Sequence, residues 1–134
     1  MAVAIDSDVV VGFLDSGDAL HRAADSAIRE LMREQRLVVS VVTYAEVLTG
    51  VRLGHHDEDL VAGFFTGLIS EVLAVDMAIA DIAARLRAGQ KTLRMPDALI
   101  LATAEANPEI EMVVSGDTAA ARVAGLGCPV RLLR

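Results

Sequence analysis

What most restricts the fold of this chain is the recurrence of short apolar runs between stretches of helical length. Val3-Ala4-Ile5, Leu37-Val38-Val39-Ser40, Glu71-Val72-Leu73-Ala74-Val75, Met112-Val113-Val114-Ser115 and Val130-Arg131-Leu132-Leu133 read as strands. The first has no polar alternation, the mark of a strand buried on both faces. The segments between them are long enough for crossovers, which parallel neighbours require. The expected architecture is therefore α/β, a three-layer α/β/α sandwich around a mainly parallel, roughly five-stranded central sheet.

Helix signals fill the gaps. Asp6-Ser7-Asp8 opens a helix through Leu14, and a longer one is expected from Asp18 to Gln35. Thr43-Tyr44-Ala45-Glu46 has capping-box spacing, so a helix is expected to start at Thr43 with Glu46 bonded back to it. Further helices are expected over Glu58–Ser70, capped by Asp57, and Met77–Ala88, capped by Asp76 and closed by Gly89. An Ala-rich helix follows Asp117 and stops at Gly125 and Gly127. No repeat or low-complexity linker interrupts the chain, so residues 1–134 read as one domain.

Arg94-Met95-Pro96-Asp97 stands out. Pro96 suits the first helical position, and Asp97 then falls in the first turn, where the helix dipole favours an anion. Ala98-Leu99-Ile100-Leu101-Ala102 leaves that helix without a polar face, as in an interior element. A charged group at the mouth of a buried helix is either a cap or part of a site.

Hydrophobic residues make up 54% of the 134 and mean hydropathy is +0.48, yet no apolar run approaches the roughly 18 residues of a membrane span. Met1-Ala2-Val3-Ala4-Ile5-Asp6 lacks the basic start of a secretion signal, so a cytoplasmic protein is expected. The lone Cys128 has no partner for an internal disulfide, and His55-His56 lacks the i, i+4 spacing of a helical metal pair. Gly89-Gln90-Lys91-Thr92 lacks the remaining glycines of a phosphate loop and follows a helix instead of a strand. The 12 basic against 19 acidic residues, net charge −7, exclude a surface that grips a long nucleic acid tract by charge alone. They favour local contact and a basic partner.

In a parallel sheet, sites form beyond the carboxyl ends of the strands. Asp6 follows the first strand, Glu46 lies one turn into the helix after the second, and Asp117 follows the fourth. Asp97 opens the helix leading into the fourth strand and joins them if that helix starts near the crevice. Like-charged pairs at ~4 Å and an effective dielectric of ~20 would repel by about 4 kcal/mol. Such a cluster either holds protons or binds a cation. With oxygen donors only, that cation is Mg²⁺ or Mn²⁺, with Asp6 and Asp97 as direct ligands and Glu46 and Asp117 acting through waters or on a second ion. The chemistry this suits is phosphodiester hydrolysis, with Lys91 and Arg94 placed to hold flanking phosphates.

Taken together these motifs resemble the PIN-domain nucleases, and in particular VapC-type toxins of toxin–antitoxin pairs. Asp6-Ser7-Asp8-Val9-Val10, Ser40-Val41-Val42-Thr43-Tyr44-Ala45-Glu46, Pro96-Asp97-Ala98-Leu99-Ile100 and Ser115-Gly116-Asp117 are similar to the family's acid motifs, in order. Asp76 with Ala80, Ala83, Ala84, Leu86 and Arg87 resembles the helix after its third strand. The resemblance implies that Asp6, Glu46, Asp97 and Asp117 line one groove. It also implies a Mg²⁺-dependent endoribonuclease, often a homodimer, silenced by a cognate antitoxin whose basic C-terminal arm enters the groove. Two positions depart from the pattern: Asp8 stands where Asn is usual, and Ala120 where an aromatic is.

Asp6-Ser7-Asp8 also resembles the nucleophile motif of HAD-type phosphatases, in which Asp6 would attack phosphorus and Asp8 act as acid, but no Gly-Thr follows. A third reading is a non-catalytic module that binds RNA or a partner, using Val61-Ala62-Gly63-Phe64-Phe65 with Leu68 and Ile69 as its surface. At helical spacing such a stripe is more often core.

Overall fold

A computed structural model describes residues 1–134. In chain order the elements are β1 (Ala2–Ile5), α1 (Ser7–Leu14), α2 (His21–Leu31), β2 (Arg36–Ser40), α3 (Val41–Arg52), α4 (Glu58–Gly67), β3 (Glu71–Leu73), α5 (Met77–Gly89), α6 (Met95–Ala106), β4 (Ile110–Ser115), α7 (Thr118–Ala121) and β5 (Val130–Leu132). The strands form one five-stranded sheet in the order β3-β2-β1-β4-β5, and every pairing is parallel.

The unalternating sequence of β1 has a direct cause: all four of its residues are buried, because helices cover both faces of the sheet. Val3 and Ile5 point to one side, with Leu37, Val39 and Val114, against Val9 and Val10 of α1, Ala24 and Ile28 of α2, Val47 of α3 and Val61 and Phe64 of α4. Ala2 and Ala4 point to the other, with Val38 and Val113, against Ile79 and Ala83 of α5 and Ala98 and Leu101 of α6. This is the expected three-layer α/β/α sandwich. Val61, Phe64 and Ile69 are buried, so much of the apolar stripe on α4 belongs to the core.

The strand order also opens the crevice. From β1 the chain crosses to β2 over one face, and from β3 it returns to β4 over the other, so the connections diverge beside β1 at the carboxyl edge of the sheet. α6 feeds β4, which is parallel to β1. A helix that delivers a chain to the start of such a strand runs against it, so the first turn of α6 stands at the carboxyl edge. That turn carries Asp97.

Several boundaries differ from the sequence reading. α2 spans His21–Leu31 rather than Asp18–Gln35, because the Asp18 side chain accepts the Leu20 N–H at 2.8 Å and holds a turn before the helix begins. The capping box at Thr43 does not form. β2 passes straight into α3 at Ser40, whose Oγ accepts the Val42 N–H at 3.1 Å; Thr43 is buried inside the helix and Glu46 is free for another partner. α4 stops at Gly67, and the Ser70 N–H donates to the Leu37 carbonyl to start the β3 pairing. Pro96 is the second helical residue of α6, after Met95. The Ala-rich helix is a single turn, Thr118–Ala121, and a left-handed Gly125 (φ 82°) follows in the loop to β5.

Candidate active site

Beyond the carboxyl ends of β1, β2 and β4 lies a cleft of about 450 Å³ whose lining includes Asp6, Asp8, Glu46, Asp97 and Asp117. Two larger hollows of about 650 Å³ exist, but neither gathers comparable chemistry. All four acids expected from the sequence are brought together. Arg94 joins them, whereas Lys91 is exposed and stands outside the lining, where Thr92 takes part.

The position of Asp6 follows from the β1–β4 register. Ile5 pairs with Val114, and the Asp6 N–H donates to the Val114 carbonyl at 3.0 Å, so Asp6 arrives beside Ser115. Its Oδ1 accepts the Ser7 N–H at 2.7 Å as cap of α1, and its Oδ2 accepts the Ser115 hydroxyl at 2.7 Å. Burial, followed by the charge of Asp8, pushes its carboxyl up to about 7 against the pull of the Ser115 and Ser7 donors. Near neutral pH, then, Asp6 takes up or releases a proton easily.

Asp8 lies two residues on. Its Oδ2 accepts the Gly116 N–H at 3.0 Å, fixing α1 to the turn after β4, while its Oδ1 is buried with no partner. Burial raises its carboxyl, as do Asp117 and Asp97; the N–H groups of Gly116 and Val9 oppose this. Asp97 makes no cap bond to its helix and meets only Arg94, whose Nε stands 3.4 Å from Oδ2. Asp97 thus makes no side-chain cap bond at the mouth of its helix and lines the cleft from the first turn. Burial is the main cause that raises its carboxyl, Arg94 opposes and Asp117 adds to the rise.

Glu46, released from the capping role, accepts the Ser7 hydroxyl in a short hydrogen bond across the cleft. Asp117 caps α7 through Oδ1, which accepts the Ala119 N–H at 2.9 Å, and its own N–H donates to Ser115 Oγ at 3.0 Å. Ala120, in place of an aromatic, is buried in the core, and Asp117 still lines the cleft. Sequence reasoning did not assign Ser7, Ser115 and Thr92 to the site. The first two sit inside the acid motifs, and only the pairing of distant strands shows what they touch.

The donor set fits a hard divalent cation: every acid in the cleft offers carboxylate oxygen, no His or Cys lines it, and Asp8 Oδ1 is a buried acceptor without a donor. No three acids are drawn up here to enclose an ion.

Comparison with known proteins is consistent with this architecture. The model of the PIN domain matches residues 3–126, whereas no curated protein sequence matches the chain. Among solved structures, VapBC2 from Rickettsia felis, bound to a DNA fragment from its promoter, aligns over 100% of both chains at TM-score 0.76 and 16% identity. VapBC-5 from Mycobacterium tuberculosis aligns over 99% of this chain and 98% of its own at TM-score 0.60 and 27% identity. VapC20 from Mycobacterium tuberculosis, a sarcin–ricin loop cleaving toxin, aligns over 83% of this chain and 86% of its own at TM-score 0.63 and 17% identity. By the family model, the order of its acid motifs and the sheet that carries them, the chain belongs to the PIN-domain family.

Proposed function

We propose that residues 1–134 form a single nuclease domain, a Mg²⁺- or Mn²⁺-dependent endoribonuclease acting as the toxin of a type II toxin–antitoxin pair in the cytoplasm. The observation that carries this reading is the convergence of Asp6, Asp8, Glu46, Asp97 and Asp117 on one cleft from separate parts of the chain. The description of VapC20 as a sarcin–ricin loop cleaving toxin, and of VapBC-5 as a member of the VapBC family of toxin–antitoxin systems, supports it. No helix is long and apolar enough to cross a membrane.

In this reading Asp6 and Asp97 hold the cation, with Glu46 and Asp117 acting through water or on a second ion. When bound, the cation supplies Lewis-acid polarisation of the phosphate and lowers the pKa of water. The residues do the rest. Glu46 has one oxygen anchored on Ser7, which leaves the other to orient a water and accept its proton as the water oxygen bonds to phosphorus and the opposite P–O bond breaks. The electron pair of that bond stays on the leaving ribose oxygen, which takes a proton from solvent at the open cleft. Exposed Arg94 offers a cation at the mouth for a flanking phosphate. With net charge −7, the cleft suits an antitoxin arm rich in basic residues, and a homodimer fits the family pattern. Membership in the PIN family leaves the aspartate-nucleophile phosphatase without support.

The deciding experiment is digestion of short RNAs by the purified protein with Mg²⁺ or Mn²⁺, beside the Asp97→Asn form. Cleavage by the first and a loss of at least a hundredfold in the second, with an unchanged fold, is expected; equal cleavage by both would remove Asp97 from the site.

A further inference from the structure

Next to the acid cleft, sharing Ser7, Asp8 and Glu46 with it as a common wall, is a second hollow of about 650 Å³. Its remaining lining differs in kind. Val11 and Leu20 supply aliphatic surface above the buried Val47 and Leu133, and Asp18 supplies a carboxylate. We propose that this hollow receives the nucleobase adjoining the scissile phosphate, and that Asp18 selects a base with paired N–H donors, guanine foremost. The proposal rests on the reading of the acid cleft as a site of RNA cleavage.

Continuity comes first. A strand whose phosphate lies over the acids carries its neighbouring nucleoside past the shared wall, and the volume is within the range of small-molecule sites. Charge then selects which part of the nucleotide enters. Asp8, Asp18 and Glu46 stand against the single Arg134 in the lining, so a second phosphate is repelled, while an uncharged base with apolar faces is admitted.

Aromatic supply points the same way. Single-stranded bases commonly stack on aromatic side chains. In this chain Phe13, Phe64, Phe65 and Tyr44 pack on one another, and none lines either hollow. A base bound near the acids therefore has its faces covered by aliphatic carbon, which the second hollow provides and the acid cleft, with one hydrophobic lining residue, does not.

Asp18 is held in place to read an edge. Its Oδ1 accepts the Leu20 N–H at 2.8 Å, which fixes the side chain and leaves Oδ2 and the second lone pair of Oδ1 for two further donors. Guanine presents adjacent N1–H and N2–H donors to a carboxylate. Adenine and cytosine each set a ring-nitrogen acceptor beside their single amine, and that acceptor faces a carboxylate unfavourably.

The test uses the full chain with Mn²⁺ and single-stranded RNAs in which each position around the cut carries each of the four bases. The wild type is expected to favour guanine at one flanking position by at least tenfold. Asp18→Asn keeps the acceptor for Leu20 but turns amide hydrogens toward the base, and should erase or invert that preference. Ala19→Trp, at an exposed lining position, should reduce the preference by covering the mouth. Cleavage without base preference, or a preference that survives in both variants, overturns the hollow while leaving the nuclease reading intact. If Ala19→Trp cleaves as the wild type does but loses a protein partner, the hollow is a protein contact and the proposal is overturned. Failure of the wild type on both RNA and bis(p-nitrophenyl) phosphate, which has no nucleobase, brings down the nuclease reading and this one with it.

Discussion

Ser115 Oγ donates to Asp6 Oδ2 at 2.7 Å and accepts the Asp117 N–H at 3.0 Å, so one hydroxyl couples two acids that lie far apart in the chain. The bond to Asp6 spans 109 positions of sequence and exists only because β1 and β4 are neighbours. Ser115→Ala leaves a buried carboxylate oxygen and an N–H without this partner. The expected cost is about 1–3 kcal/mol in chemical denaturation, with reduced cleavage. A variant as stable and active as the wild type would mean that the hydroxyl does not organise the pair.

Ser7 plays a comparable part for Glu46. The Ser7 hydroxyl is the donor that holds Glu46 Oε1. In Ser7→Ala the carboxylate is free to swing, and misplacement by about 1 Å can cost up to roughly a hundredfold in rate. Single-turnover cleavage should therefore slow by tenfold or more while the melting temperature moves little, since the bond lies at a partly open rim.

A side chain at Gly116 would press on the ends of two neighbouring side chains. A Cβ there would stand 2.7 Å from Leu20 Cδ2 and 2.9 Å from Asp8 Oδ2, and that same Asp8 oxygen is held in place by the Gly116 N–H. Gly116→Ala should push the ends of Leu20 and Asp8 aside, lowering stability by about 1 kcal/mol and weakening Mn²⁺ binding through the displaced Asp8 carboxylate. Both are readable from melting curves with and without the ion.

The acids also set a pH dependence. Asp6 has its carboxyl raised from 3.8 to about 7 in the folded protein. Between those values the native state keeps a proton that the unfolded chain has lost, so stability falls as pH rises through the window, by on the order of 4 kcal/mol for this group. In chelator, the melting temperature should be higher at pH 5 than at pH 8. Mg²⁺ or Mn²⁺ should restore it most at pH 8, where the carboxylates are ionised. A melt insensitive to both pH and cation would contradict a shared site.

Most of the fold was legible in the sequence because short apolar runs such as Val3-Ala4-Ile5 leave few alternatives to a covered parallel sheet. The acids' placement was legible as well: Asp6 and Asp117 stand where a strand gives way to a helix, Glu46 in the helix after β2 and Asp97 in the first turn of a buried one. The capping box at Thr43 misled because local spacing fits two starts, and the β2 register decided for Ser40. The bonds from Ser7 to Glu46 and from Ser115 to Asp6 could not be read, since nothing local in a serine records which strand will lie beside it. The exclusion of Lys91 from the cleft was equally hidden, being set by how the loop between α5 and α6 turns.

The pairing of β1 with β4 has a bearing on synthesis. A polypeptide emerging from the ribosome presents Asp6 early, but its Ser115 partner and Asp117 leave the exit tunnel more than a hundred residues later. Until β4 slots in beside β1, a nascent or truncated chain lacks the assembled cluster, so the cleft takes shape only once translation has passed that point.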